Sequence, residues 1–241
     1  MLALVSGASR GIGRAIAIEF AKKGYDVCIN YHEHGDEAME ILEEVKKYSN
    51  GFVYGADVSN YDEVSKLKEE IFKRYKKIDV LVNNAGVALT KLVQETSEDE
   101  YDYVFNTNMK GVFNMTKAFI KPMIHESAGV IINVTSMWGE TGAAMETVYS
   151  ASKGAVIAFT KAVAKEVAPS GVRVNAISLG CIATDMMKVY SEAEIDMLRN
   201  ETPLEMIGSA EDAAKAAVFL ASQDAKFITG EVLRVNGGFY I

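Results

Sequence analysis

The chain has 241 residues, 49% hydrophobic and 24% charged, a balance that suits a globular protein able to bury a sizeable core. Its formal net charge of −8 argues against a nucleic-acid partner, because phosphate binding needs a basic footprint. No apolar run is long enough to span a bilayer. The start, MLALVSGASRG, lacks the basic region of a signal peptide, and the two cysteines, Cys28 and Cys181, fit a reduced cytoplasmic protein.

Strand-like apolar runs alternate with amphipathic helical stretches along the whole chain. LALV at 2–5 leads to a helix through RAIAIEFAKKG, with Gly24 as its stop. DVCIN at 26–30 precedes a charged helix, DEAMEILEEVKKY, and FVYGADV at 52–58 precedes a helix over about 62–75. IDVLVNNAG at 78–86 is a strand with its exit loop, followed by helices from about 98 and 110. GVIINVTS at 129–136 is a strand, and 149–168 reads as a helix that ends at Pro169 and Gly171. VRVNAISL at 172–179, a helix over 210–222 and a last strand, EVLRVNGG at 231–238, complete the series. Continuously apolar strands separated by helices predict a parallel sheet covered on both faces. With only three Pro and no linker-like stretch, the expectation is one doubly wound domain, residues 1–241, of about seven parallel strands.

The first strand runs into SGASRGIG, where Gly7, Gly11 and Gly13 stand between a strand and a helix. That context is the one a dinucleotide-binding loop requires. Glycines let backbone N–H groups approach a pyrophosphate, and the helix N-terminus favours its charge. Ser9, Arg10 and Ile12 belong to the same loop. The cofactor ribose should meet the end of the second strand, where a carboxylate would hold a free 2′-hydroxyl and repel a 2′-phosphate. Tyr31 stands there instead, and Arg10 offers a guanidinium, so NADP(H) is expected in preference to NAD(H). Glu33 and Asp36 weigh against that preference. His32 and His34 have no third ligand nearby in sequence and read as cofactor-side or surface residues, so no metal is expected.

TVYSASKGAV at 147–156 places Tyr149 four residues before Lys153, on one helix face. Eleven Tyr and 19 Lys in this chain give about one such pair by chance, so the pair needs context. The context is the glycine loop, NNAG at 83–86, and Ser136 at a strand end 13 residues before Tyr149. Together these resemble the short-chain dehydrogenase/reductase family over the whole chain, and most of all its bacterial 3-oxoacyl-[acyl-carrier-protein] reductases of fatty acid biosynthesis. The ending FITGEVLRVNGGFY is similar to theirs.

The resemblance implies that Tyr149 is the general acid in carbonyl reduction. Lys153 would lower its pKa and bind the nicotinamide ribose, and Ser136 would polarise the substrate carbonyl. Asn108 in NTNMKG would hold a water of a proton relay. Asp57 and Val58 would contact adenine. Asn83, Ala85 and Gly86 would line the adenosine ribose or stabilise the sheet, two roles left equally open by the sequence. Ile182 and Thr184 would hold the carboxamide. Residues of about 184–208 would form a substrate lid, with Met186, Met187, Met197 and Met206 beside Trp138 as an adaptable wall for an acyl chain. Thr135 alternates to the opposite side of its strand from Ser136. A homotetramer is also implied.

Two departures qualify the resemblance. Leu179-Gly180 stands where the family has Pro-Gly, which predicts a less constrained loop. Few bases flank the expected site mouth: Lys121, His125 and Arg173 would form only a weak docking patch for an acidic carrier protein. A coenzyme A thioester or a small ketone is therefore an alternative substrate. A dehydrogenase of another alcohol or sugar is the alternative activity, and a non-catalytic nucleotide-binding scaffold is disfavoured because Ser136, Tyr149 and Lys153 are all present.

Overall fold

The computed structural model describes residues 1–185, 187 and 191–241. β1 (Leu2–Val5), β2 (Asp26–Tyr31), β3 (Gly51–Gly55), β4 (Val80–Asn83), β5 (Gly129–Ser136), β6 (Val172–Leu179) and β7 (Val232–Val235) form one sheet. Its order is β3-β2-β1-β4-β5-β6-β7, and every neighbouring pair is parallel. Among the described residues this is the seven-stranded, doubly wound sheet expected from the alternating runs.

Alternation along each strand sends successive side chains to opposite faces. Ala3, Val5, Val27, Ile29, Val80 and Val82 pack with α1 (Gly11–Lys22), α2 (Gly35–Val45) and α9 (Ala210–Ala221), a helix numbered by its place in the chain. Leu2, Leu4, Cys28, Leu81 and Ile131 face the other way. There they meet α3 (Tyr61–Arg74), α5 (Gly111–His125) and α7 (Thr147–Val167). α4 (Glu98–Phe105), the short α6 (Trp138–Thr141) and α8 (Glu192–Glu201) complete the helices described.

Helix starts follow local chemistry. Asn60 accepts bonds from the N–H groups of Asp62 and Glu63 at the head of α3. Ser97, Ser191 and Ser209 form reciprocal capping boxes with Glu100, Glu194 and Asp212 at the heads of α4, α8 and α9. α1 differs. Its N-cap, Arg10, gives no side-chain bond, and its first turn holds no acid.

Some elements are shorter than the sequence suggests. β3 stops at Gly55, so Asp57 and Val58 lie in the following turn, where the Asp57 carboxylate accepts from the Ser59 N–H and hydroxyl. β7 stops at Val235 because Gly237 and Gly238 turn the chain at φ 62° and 86°. Between α4 and α5 the chain makes a π-helical turn, Asn106–Lys110, which contains Asn108. The Leu179–Gly180 loop is pinned on both sides: Met137 N–H donates to the Leu179 carbonyl, and Gly180 N–H to that of Val235.

Strand order reverses between β1 and β4. The crevice at the carboxyl ends of the strands on either side of such a switch is where ligands bind in open α/β sheets. The exits of β1, β4, β5 and β6 all reach it.

Candidate active site

The three glycines of the first loop serve different ends. Gly7, at φ 60°, lies so close to the exit of β4 that a Cβ there would sit 2.8 Å from the Ala85 Cα. A Cβ on Gly13 would lie 2.3 Å from the Gly7 carbonyl oxygen, so only glycine permits α1 to start there. Gly11, at φ 54°, lies beside Thr184, whose side chain would be in ordinary contact, at 3.7 Å, with a Cβ there. The uncapped, acid-free start of α1 leaves its first N–H groups for an anion. This loop fits the pyrophosphate of a dinucleotide. Ser9 is buried within it, and Ile12 is partly buried against the core.

Asn84, a residue to which the sequence assigns no role, clamps this loop. Its Nδ2 donates to the carbonyls of Ser6 and Gly7, each at 3.0 Å. The Ser6 hydroxyl in turn accepts from the N–H groups of Asn84 and Ala85. Asn83 points away, into a buried chain: its Nδ2 donates to Asn133 Oδ1 at 2.8 Å, and Asn133 donates to Thr160. These bonds link β4, β5 and α7.

Tyr31 closes the end of β2, its ring 3.2 Å from where a Cβ would stand on Gly35 or on Gly55. Arg10 is exposed and forms no ion pair among the described residues. His34 lies 3.3 Å from Glu37, which draws one nearby carboxylate into a local pair.

Tyr149 and Lys153 are both buried on α7, with the Lys153 Nζ 5.7 Å from the centre of the Tyr149 ring. Nζ donates to the Val134 carbonyl at 3.0 Å. Burial alone lowers the Lys153 pKa from 10.5 to about 8. Ser136 ends β5, and its Oγ accepts from the Trp138 N–H at 3.2 Å, leaving the hydroxyl proton to donate. Thr135 turns the other way and donates to the Lys153 carbonyl, fixing α7 against β5. Asn108 is fully buried. Its Oδ1 accepts from the Val87 N–H, while Nδ2 donates to the Val87 carbonyl and Ser152 Oγ. Gly86 passes between these groups, and a Cβ on it would lie 3.2 Å from both Lys153 Nζ and Asn108 Oδ1.

The exit of β6 shapes the opposite wall. Gly208 N–H donates to the Cys181 carbonyl, and Ala183 N–H to the Gly208 carbonyl. This clasp joins the two ends of the segment expected to form a lid. Ile182 is buried against the core. A cavity of about 940 Å³ opens between Ser9, Arg10, Thr184 and Met187 on one side and α2 and α8 on the other. Ser136, Tyr149 and Lys153 do not line it. Met186 lies outside the described residues.

Trp138 stacks edge-on against Phe239, with ring centres 5.5 Å apart. Its neighbour Glu140 accepts two bonds from Arg234, at 2.7 and 3.0 Å, and one from Ser178 at 2.6 Å. α6 is thereby tied to β6 and β7. Arg173, a candidate for the docking patch, is instead committed to the carbonyls of Leu220, Ser222 and Ile228 between α9 and β7.

A glycine loop built for pyrophosphate, joined at a sheet's switch point to a buried Tyr/Lys pair and a strand-end Ser, defines a nicotinamide-dependent oxidoreductase. The chain belongs to the short-chain dehydrogenase/reductase family: the family model described as enoyl-(acyl carrier protein) reductase matches residues 7–240. It is 42% identical over 240 residues to the 3-oxoacyl-[acyl-carrier-protein] reductase FabG of Staphylococcus epidermidis, covering 99% of this chain and 98% of the relative. The protein of that name from Chlamydia trachomatis is 42% identical over 242 residues, covering 98% and 96% of the two chains. That from Haemophilus influenzae is 39% identical over 241 residues, covering 100% and 98%. The expected resemblance to bacterial 3-oxoacyl-[acyl-carrier-protein] reductases is thus borne out. Among the described residues no helix is long and apolar enough to cross a membrane.

Proposed function

We propose that this protein reduces the ketone of a 3-oxoacyl thioester, carried by acyl carrier protein or coenzyme A, to the 3-hydroxyacyl form with NADPH. The observation that carries this reading is the burial of Tyr149 beside Lys153 on α7, with Ser136 at the end of the adjoining strand. Held at the loop of Gly7, Gly11 and Gly13, a nicotinamide cofactor would supply hydride to the carbonyl carbon. Tyr149 gives its phenolic proton to the carbonyl oxygen, so a C–H and an O–H bond form as the C=O π bond is lost. Ser136 donates to the same oxygen, where negative charge develops. The Lys153 ammonium stabilises the phenolate left on Tyr149. A relay water fits the one lone pair of Asn108 Oδ1 that Val87 leaves unused.

NADPH is assigned over NADH on the free guanidinium of Arg10 and on Tyr31, where a carboxylate would stand for NADH. The segment of about 184–208 acts as the lid of a single domain over residues 1–241, hinged at the clasp of Cys181, Ala183 and Gly208. Arg173 pairs with Val130 at the start of the β5/β6 ladder, and α5 carries Lys121 and His125 to that same edge, away from the Ser136 end; this supports coenzyme A thioesters among the substrates. The reading includes a homotetramer, supported by the exposed Phe113, Phe219 and Phe227. It also includes a cytoplasmic location, supported by the two free thiols.

The test is NADPH consumption with acetoacetyl-coenzyme A and acetoacetyl-carrier protein, by wild type and Tyr149→Phe. Turnover of either thioester, lost in the variant while NADPH still binds, is expected. Oxidation of unrelated alcohols alone, or normal turnover by the variant, overturns the assignment.

A further inference from the structure

α6 is a single helical turn that begins two residues after Ser136. A helix this short has no stability of its own in water, so contacts with its neighbours have to hold it. Met137, its N-cap, donates to the Leu179 carbonyl at 2.9 Å. Gly139 lies against α7: a Cβ there would stand 2.8 Å from the Cβ and the carbonyl carbon of Lys153. Glu140 supplies a third anchor. Its side chain is 11% exposed. One carboxylate oxygen accepts from the Ser178 hydroxyl at 2.6 Å, and the other from the Arg234 guanidinium at 2.7 and 3.0 Å.

The partners of Glu140 belong to one row of the sheet. Thr135, Ser178 and Arg234 are paired in register across β5, β6 and β7, and paired residues of neighbouring strands project from the same face. Thr135 donates to the Lys153 carbonyl at 3.2 Å. One row therefore holds α7 at Lys153 and α6 at Glu140. Arg234 is steadied in turn by Tyr240, whose ring centre lies 4.8 Å from the guanidinium carbon. What this frame controls is the Ser136 hydroxyl. A serine hydroxyl rotates to suit its partners, with one proton to give and two lone pairs to offer. The Trp138 N–H occupies one lone pair of Ser136 Oγ at 3.2 Å, which turns the proton away from α6. That N–H is part of the α6 backbone, so its place is fixed only as well as α6 is.

We propose that Glu140 is a positioning residue for the reduction. By anchoring α6 to Ser178 and Arg234, it keeps the Trp138 N–H on Ser136 and so directs the Ser136 hydroxyl proton to the ketone oxygen. A donor to a developing oxyanion works only where that oxygen stands, and a displacement of about 1 Å can cost roughly a hundredfold in rate. Without Glu140, α6 keeps its Met137 bond and its contact at Gly139, but nothing ties its last turn to β6 and β7 through that side chain. This inference rests on the ketone-reductase reading above. It adds to that reading a carboxylate that touches neither substrate nor cofactor and acts through Ser136.

The experiment is a double-mutant cycle on the reduction of acetoacetyl-coenzyme A with NADPH, in wild type, E140A, S136A and the pair. Each protein is assayed well below its thermal midpoint, so that loss of folded protein does not enter kcat. Removing one donor to a developing oxyanion leaves roughly 10⁻² to 10⁻³ of the turnover, which single-turnover measurement reads. E140A alone should lower kcat roughly tenfold or more, with the Kd for NADPH within about threefold of wild type. In the S136A background the same change should cost less than about twofold, because no hydroxyl is left to direct. R234M removes one anchor from the exposed side and guards against failure of E140A to fold; it should show the same pattern at about threefold. Equal losses with and without the Ser136 hydroxyl would make α6 merely structural and overturn the inference alone. So would an unchanged kcat in whichever of E140A and R234M folds. No turnover of any 3-oxoacyl thioester by the wild type overturns the reductase reading, and this inference with it.

Discussion

The Lys153 ammonium donates to the Val134 carbonyl at 3.0 Å, placing a buried positive charge behind the Tyr149 ring. Chemistry needs that charge, and folding bears its cost. Burial brings the folded-state pKa from 10.5 to about 8. Between those values the unfolded chain binds more protons than the folded one, so this residue's contribution to stability rises with pH across that window and is at its lowest below about 8. Lys153→Met should therefore stabilise the cofactor-free protein at pH 7 while removing turnover. The stability advantage of the variant should shrink by about 2 kcal/mol by pH 9.5. Denaturant midpoints of wild type and variant, measured in parallel from pH 7 to 9.5, check this. A constant difference would show that Lys153 is not held at a depressed pKa.

Asn84 should matter for cofactor affinity more than for catalysis. Its Nδ2 holds the Ser6 and Gly7 carbonyls, and no other described side chain donates to either of them. Loss of two bonds worth about 1 kcal/mol each loosens the loop that receives the pyrophosphate. Asn84→Ala should raise the Kd for NADPH roughly tenfold, with kcat at saturating cofactor within about threefold of wild type. Fluorescence titration with NADPH reads the first quantity and steady-state assay the second. An unchanged Kd would make the clamp irrelevant to binding.

Much of this was legible in the sequence because it is local. Continuous apolar runs marked the strands, and the glycine loop and the Tyr149/Lys153 spacing each lie within ten residues. What escaped depends on strand order. Asn84 meets Ser6 across 78 positions, and Arg234 meets Glu140 across 94. Neither contact exists until β4 is placed beside β1 and β7 beside β6. Arg173 looks like a surface base because sequence does not reveal that the carbonyls of Leu220 and Ile228 converge on it. The π-helical turn at Asn108 was hidden for a different reason: one extra residue per turn leaves the apolar pattern of the flanking helices almost unchanged.

Arg10 carries the choice between cofactors. It is exposed at the head of α1, unpaired among the described residues, on the side of the loop that faces Thr184 and the cavity. The α2 carboxylates that share the cavity with Arg10, Glu37, Glu40, Glu43 and Glu44, oppose a 2′-phosphate, so the guanidinium has to outweigh them. Arg10→Ala should raise KM for NADPH by about tenfold more than KM for NADH. Steady-state KM values for both cofactors, at one ionic strength because exposed charges are screened, decide the matter. Equal effects on the two would remove the basis for preferring NADPH.

Gly86 is the point where the cofactor side and the catalytic side meet most closely. A Cβ there would press on both Lys153 Nζ and Asn108 Oδ1 at 3.2 Å. Of these, only the lysine end moves easily. Asn108 is fixed by three bonds to Val87 and Ser152. The backbone of Gly86 is not in the left-handed region, so alanine costs little in conformation. Gly86→Ala should displace the ammonium from behind Tyr149. We expect kcat to fall roughly ten- to a hundredfold with stability changed by no more than about 1 kcal/mol. Comparing kcat with the thermal midpoint separates the two effects. Full activity with a lowered midpoint would mean that the space beside Gly86 serves packing, and that Lys153 can reach its working position from elsewhere.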